Sequence, residues 1–374
     1  MKVEVVDSED GFDSLRDEWN ALVSRLELPS PFQSWEWQRG WWRHFADTKL
    51  DNLRLLLFRR AGVLVGIAPM QDRKRFGVRQ LTTLGWRDRI TEQGVLLFPR
   101  ADRAALLDEL WNWLSAQPWT WVGLPQLNVS DALPAAAASH MVSSDEIVFE
   151  YLALPPTWES LEGGLSRSMR GNLRYYPSLV AREGHDSSFE SVTSPQRLAA
   201  ALPVLFDLHT ARAAVRTAIR HRDYLKPPRR RAFLLEVAPR LAALGEAGIG
   251  LLRIHGEVVA AQLWLERDRA LFLYYSGFNP SWARYSVGML NTAQILRHAM
   301  ARGVERVEFL RGANSYKSRW GTQARIEADV VLARRRRLVR AQESYRVRAK
   351  RLARRVERWR TRVPRISFLG RQSD

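Results

Sequence analysis

Twice along its length the chain runs through the same succession of local patterns: helix, antiparallel β-prone runs, helix, β-prone run. Internal repetition constrains a fold more than any single segment does. In the first half, a helical pattern from Ser14 to Leu26 precedes two β-prone runs, Leu53 to Arg59 and Val63 to Pro69, joined by a turn at Ala61-Gly62. Runs at Gln80 to Leu84 and Gly94 to Phe98, a helix from Asp102 to Leu114 and a run from Trp119 to Leu124 complete this half. A stretch rich in Ala, Ser and Pro, Asp131 to Ser144, reads as a loop or weak helix before a strand at Ile147 to Leu154. In the second half, helical patterns cover Gly164 to Glu183, Pro195 to Ala214 and Pro228 to Leu244. Runs at Ile249 to Ile254 and Val258 to Glu266 flank the turn His255-Gly256-Glu257, and Ala270 to Gly277 follows. A helix from Val287 to Arg302, stopped by Gly303, leads to a last run from Val304 to Leu310. Two α+β units follow from this, with boundaries expected at 1–154 and 155–333 and a tail at 334–374.

A chain of 374 residues has room for two such units, each with its own core. No apolar stretch is long enough to span a membrane, and Met1 to Asp7 reads as a first strand and not a secretion signal, so a cytoplasmic location is expected. The absence of cysteine removes disulfides, thiolate nucleophiles and cysteine-held zinc. The seven histidines show no metal-ligand spacing, so no metal is expected. The net charge of +18 suggests a nucleic-acid partner until it is located: Arg334 to Arg362 holds fourteen Lys or Arg against two Glu. The charge is therefore concentrated in the tail and not spread over the two units. Within that tail Leu338, Tyr345, Leu352, Val356, Trp359 and Val363 recur at spacings of seven, four and three, the pattern of a basic amphipathic helix. Such a helix packs on its own protein, lies on an anionic membrane surface, or binds RNA.

The densest run of unusual residues is Tyr274-Tyr275-Ser276-Gly277-Phe278, followed by Tyr285-Ser286-Val287-Gly288-Met289 and then Glu308-Phe309-Leu310-Arg311-Gly312-Ala313-Asn314-Ser315-Tyr316-Lys317. A strand, a turn-rich loop and a helix start, in that order, make an anion site, because the first turn of a helix carries unpaired N–H groups and a positive dipole end. Strand alternation predicts that Tyr274 and Tyr275 point to opposite faces. Arg170 and Arg174 share one face of the helix at 164–183. The tryptophans at 35, 37, 41 and 42 are expected in the core.

This combination resembles the C-terminal signature of the CelD/BcsL-like GNAT acyltransferases, linked to cellulose and exopolysaccharide biosynthesis, across about residues 30–325. Their Tyr-Tyr strand, Ser-x-Gly helix start and Arg-Gly loop with Tyr-Lys match the residues quoted above. Two positions depart from the pattern: Glu308 stands where Asp is usual, and Val287-Gly288 where Pro-Gly is frequent. The resemblance implies a tandem GNAT fold and direct transfer of an acyl group from acyl-CoA to an amine or hydroxyl of a sugar, polysaccharide precursor or amino compound. It implies an acyl-CoA site at Tyr274, Ser286, Val287, Gly288 and Met289, and a substrate site at Arg170, Arg174, Arg311 and Asn314. Glu308 is the expected base, with Tyr275 or Tyr316 as proton donor and Lys317 beside them. Fem-type aminoacyltransferases share the tandem architecture and draw on aminoacyl-tRNA, and the basic tail keeps that alternative open. A non-catalytic scaffold tethered to the inner face of the membrane is a third expectation.

Overall fold

The computed structural model describes residues 1–128, 133–215, 221–312 and 315–334, together with Val339. Their strands are β1 (Lys2–Val6), β2 (Asp51–Arg60), β3 (Val63–Arg75), β4 (Val78–Thr83), β5 (Trp121–Asn128), β6 (Met141–Ala153), β7 (Ser187–Val192), β8 (Ala247–Ile254), β9 (Glu257–Arg267), β10 (Ala270–Phe278), β11 (Arg306–Arg311) and β12 (Gln323–Ala333). The helices are α1 (Glu9–Asp13), α2 (Arg16–Val23), α3 (Trp35–Phe45), α4 (Arg103–Ser115), α5 (Ala135–Ala138), α6 (Trp158–Gly164), α7 (Arg167–Arg182), α8 (Pro195–Ala214), α9 (Pro228–Ala243), α10 (Val287–Ala301) and α11 (Ser315–Ser318). No helix among the described residues is long and apolar enough to cross a membrane. The Arg-rich tail lies outside the described residues except for Arg334 and Val339.

All twelve strands form one mixed sheet in the order β1-β2-β3-β4-β5-β12-β6-β11-β10-β9-β8-β7. Read inward from its two edges, the sheet repeats itself: β1 to β5 with α4 between β4 and β5, and β7 to β11 with α10 between β10 and β11. The parallel pairs are β4 with β5 and β10 with β11, each bridged by its crossover helix, which is the connection a parallel pair requires. The sixth strands are exchanged. β12 pairs with β5, β6 pairs with β11, and the two pair with each other at the centre of the sheet. β12 was absent from the sequence reading, although Val330-Val331-Leu332 is β-prone.

Gly94 to Phe98, expected as a strand, makes only an isolated bridge between Leu97 and Ile67. Pro69 opposite it has no N–H to extend the ladder, and Pro99 ends the run. This segment nevertheless has a structural consequence. A Cβ on Gly94 would lie 3.2 Å from the Gln126 carbonyl, and one on Gly123 would come within 2.6 Å of Trp86, so residues 86–97 pack tightly against β5 where it diverges from β4. The corresponding gap between β10 and β11 remains open.

One apolar core spans both halves. Trp37 on α3 meets Phe233 on α9 edge to face at 4.9 Å and Tyr274 on β10 at 5.8 Å, and the α1–α2 and α8 side chains join the same cluster. Of the four tryptophans expected in the core, Trp37, Trp41 and Trp42 are buried and Trp35 packs at its margin. The two repeats are thus joined through backbone pairing and a shared hydrophobic core.

Candidate active site

β10 and β11 pair only from Ala270–Phe272 to Arg306–Glu308 and then part. Where they part, β10 carries a bulge: Leu273 faces Trp264 and Ser276 faces Gln262, leaving two residues opposite one. The extra residue corrects the expectation that Tyr274 and Tyr275 point to opposite faces, because their rings lie 4.2 Å apart. Both hydroxyls reach into the N-terminal half. Tyr274 donates to the Ile90 carbonyl at 2.6 Å and Tyr275 to the Arg89 carbonyl at 2.9 Å. Burial raises both phenols above their ordinary range, so both keep the proton they donate.

A first cavity of about 350 Å³ opens in the gap. Tyr274, Ser276 and Phe309 form its strand walls, Ser286, Val287, Gly288 and Met289 one end, and Tyr316 and Lys317 another side. Ser286 sits in the left-handed region at φ 53° as N-cap of α10, and its side chain makes no cap bond. Its backbone carbonyl accepts from the N–H groups of Met289 and Leu290. The positive end of α10 thus faces the cavity. The Tyr316 hydroxyl lies 2.7 Å from Thr292 Oγ1, which is 3.0 Å from Gln262 Oε1. Burial raises the Tyr316 phenol, which therefore remains a proton donor at neutral pH. Gly277 lets α8 close over β10, since a Cβ there would lie 2.3 Å from the His209 nitrogen.

A second cavity of about 460 Å³ adjoins the first, and Arg212, His221, Tyr274, Ser276, Phe309 and Lys317 line both. Its other side chains include Arg89, Glu92, Arg222 and Arg311. Arg89 and Glu92 come from the segment that packs along β5, held in shape by Asp88. That carboxylate accepts from the N–H groups of Ile90 and Thr91 and from the Trp41 indole, while Arg230 donates to the Asp88 carbonyl. Positive φ at Gly85, Arg87 and Arg89 marks how tightly this loop is wound. The Glu92 carboxylate, 15% exposed, lies 3.5 Å from Arg311 Nε. Burial raises its pKa against the pull of Arg311 and Arg89. Sequence reasoning missed Glu92 because nothing local distinguishes it from a loop carboxylate; only the fold brings it to β10.

Arg212 stands between the cavities. It donates to Ser276 Oγ at 2.8 Å, lies 5.5 Å from the Phe278 ring, and makes no ion pair with any described carboxylate. Burial lowers its pKa, as expected where no opposite charge offsets lost hydration. His209 is held neutral by burial, with Nδ1 at 2.8 Å from the Ser276 carbonyl and Nε2 accepting from the Tyr224 N–H. Burial and the Arg212 charge push His221 down to about 4.

Three expected site residues lie elsewhere. Glu308 lines neither cavity; it is buried in the sheet, where its Oε1 accepts from Arg306 at 2.6 Å and Arg325 at 3.2 Å. Away from both cavities it reaches no reacting group, which corrects the role expected of it. Arg170 donates to the Gly163 and Leu165 carbonyls at the end of α6, and Arg174 pairs with Glu162 of that helix. The face they share is thus spent on carbonyls left open at the end of α6 and on Glu162, and neither residue lines a cavity. Tyr275 lines only the second cavity, Arg311 lies there beside Glu92, and Asn314 is outside the described residues. Lys317 donates to the carbonyls of Leu310, Arg311 and Gly312, so its ammonium clamps the loop after β11.

The family model described as an acetyltransferase (GNAT) domain matches residues 167–318. The fold of this stretch is that of a GNAT domain. It holds α10, the split between β10 and β11 and most of the first cavity's lining, and the N-terminal half repeats its order of strands. No curated protein matches the chain. Among solved structures, that of FemX has a TM-score of 0.62 at 12% identity, covering 90% of this chain and 98% of that one. A conserved protein of unknown function from Bacteroides thetaiotaomicron gives 0.55 at 11% identity, with 89% and 100% covered. A domain assigned to a lysylphosphatidylglycerol synthetase from Agrobacterium fabrum gives 0.52 at 12% identity, with 86% and 92% covered. At such identities the likeness is one of fold. The GNAT domain and its repeat therefore share a mixed α/β architecture with these proteins over nearly their whole length.

Proposed function

We propose that the chain is an acyltransferase that takes an acetyl or other acyl group from acyl-CoA in the first cavity and delivers it to an amine or hydroxyl in the second. The observation that carries this reading is the split between β10 and β11 opening onto the start of α10. Strands that part leave N–H and C=O groups free for the amides of a pantetheine arm, and the helix start offers N–H groups to a pyrophosphate. Tyr274, Ser286, Val287, Gly288 and Met289 hold the donor in this scheme. A thioester is already activated, so positioning supplies much of the acceleration and no covalent intermediate with the protein is needed. Tyr316 protonates the leaving thiolate. Arg212, between the cavities, stabilises the oxyanion of the tetrahedral intermediate.

Titrating acetyl-CoA and a longer acyl-CoA into the protein by calorimetry tests the reading. Binding with one site per chain is expected, and no detectable heat at millimolar ligand overturns it. The runner-up is a Fem-type transferase fed by aminoacyl-tRNA, favoured by the likeness to FemX and by the arginines of the second cavity. In that scheme the Arg-rich segment 334–374 holds the tRNA. Salt-sensitive tRNA binding, lost with that segment and accompanied by no acyl-CoA binding, selects it. The exopolysaccharide connection, a saccharide acceptor, and cytoplasmic residence with the tail on an anionic membrane belong to the same proposal. Liposome sedimentation with and without the tail tests the last of these.

A further inference from the structure

The second cavity has a charge pattern specific enough to define its occupant. Four arginines, at 89, 212, 222 and 311, line it together with a single carboxylate, Glu92. Arg311 is matched by that carboxylate at 3.5 Å. Arg89 and Arg222 are exposed and make no ion pair with any described carboxylate; the guanidinium of Arg222 lies 5.7 Å from the Tyr224 ring. The cavity therefore presents one carboxylate next to an excess of unmatched guanidinium groups. Guanidinium groups bind carboxylates and phosphates by paired N–H donors, whereas an ionised carboxylate only accepts.

Resting on the reading of the two cavities as donor and acceptor sites, we propose that the acceptor is a small amine that also carries an anionic group, its nitrogen at Glu92 and its anion at Arg89 and Arg222. An amine fits better than an alcohol because of the bases within reach. His209 has both ring nitrogens engaged, and His221 is too weakly basic to help remove a hydroxyl proton. An amine needs less. Its nitrogen lone pair forms the new C–N bond at the thioester carbonyl, and the nitrogen proton passes to Glu92 as the intermediate collapses. The C–S bond breaks, the thiolate takes its proton from Tyr316, and the proton on Glu92 returns to Tyr316 through solvent. The products are an amide and free CoA thiol. Glu92 lies at the cavity wall on a loop tied down by Asp88, Tyr274 and Tyr275, which gives the base a fixed position.

Three probes share one scaffold and differ only at C6: glucosamine 6-phosphate, 2-amino-2-deoxyglucuronate and glucosamine. Calorimetry without donor, and turnover with acetyl-CoA, are measured for each on the full chain. Both anionic probes are expected to bind roughly tenfold or more tightly than glucosamine, an advantage that disappears in the Arg89→Gln, Arg222→Gln double variant. A preference between phosphate and carboxylate tells which anion the natural acceptor carries. Acetyl-CoA binding should be unchanged in that variant, because neither arginine lines the first cavity. Glu92→Gln should lower kcat with acceptor affinity retained, and should remove an acid limb of the pH–rate profile lying above the ordinary carboxylate range. If acetyl-CoA binds and the anionic amines bind no better than glucosamine, the acceptor proposal is wrong while the donor reading stands. If the anionic amines bind through Arg89 and Arg222 but acetyl-CoA does not bind, the donor reading fails alone. An unaltered pH profile in Glu92→Gln removes that residue as base.

Discussion

Lys317 illustrates how a side chain expected in the chemistry can act through the backbone. At the end of β11 the chain passes through left-handed conformations at Leu310 (φ 62°) and Gly312 (φ 91°), and the lysine ammonium collects the carbonyls of residues 310–312 at 3.0, 2.9 and 2.7 Å. Burial pushes this ammonium down to about 8, so it is still largely protonated at pH 7, when all three donors are needed. Methionine has similar length and no donor. Lys317→Met should therefore leave these carbonyls short of a partner and cost about 3 kcal/mol, measurable as a lower urea midpoint with an unchanged slope. An unchanged midpoint would mean that the clamp contributes nothing to stability. Glu308 teaches the reverse lesson: a buried carboxylate on a strand next to the motif attracts a catalytic reading, yet Arg306 and Arg325 hold it within the sheet.

The same contrast appears among elements. The strand–helix–strand unit of β10, α10 and β11 was legible because its signals are local: a β-prone run, a glycine after the helix and a second run. Strand β12 was missed because its place between β5 and β6 is set by partners nearly two hundred residues away, and the charged run that follows masks it. The bulge at Tyr274-Tyr275 was equally invisible, since alternation is the default reading of any strand and only the registry with β9 breaks it. Close approach of elements is similarly hidden, and Gly277 makes it testable. An added Cβ there meets the α8 backbone, at 2.3 Å from His209 N and 2.4 Å from the Leu208 carbonyl carbon, whereas one on Gly288 meets only Phe278 at 3.6 Å. Gly277→Ala should push α8 from β10 at a cost of about 1–3 kcal/mol and weaken donor binding, because both elements wall the first cavity. Gly288→Ala should stay within roughly 0.5 kcal/mol of the parent protein. Thermal melts of the pair decide it, and equal stability of the two variants would contradict the packing argument.

For the whole molecule, the exchange of β6 and β12 makes the two repeats dependent on each other. The boundary expected near residue 154 falls between β6 and α6, where the chain can be cut without interrupting an element. Yet residues 1–154 alone lack the strand that covers β5, and residues 155–374 lack the strand that covers β11. Each piece would expose a long strand edge and part of the core shared by α3, α9 and Tyr274. The repeats also divide the labour. The N-terminal copy has its own gap filled by residues 86–97, and that filling presents Arg89 and Glu92 to the cavity of its neighbour. Neither fragment is therefore expected to show a cooperative thermal transition on its own. Coexpressed, the two should copurify as a one-to-one complex, because β12 and β6 can still cross over, and the complex should regain the melting behaviour of the intact chain apart from its dependence on concentration. Cooperative melting of residues 1–154 alone would show that the strand exchange is not required for folding.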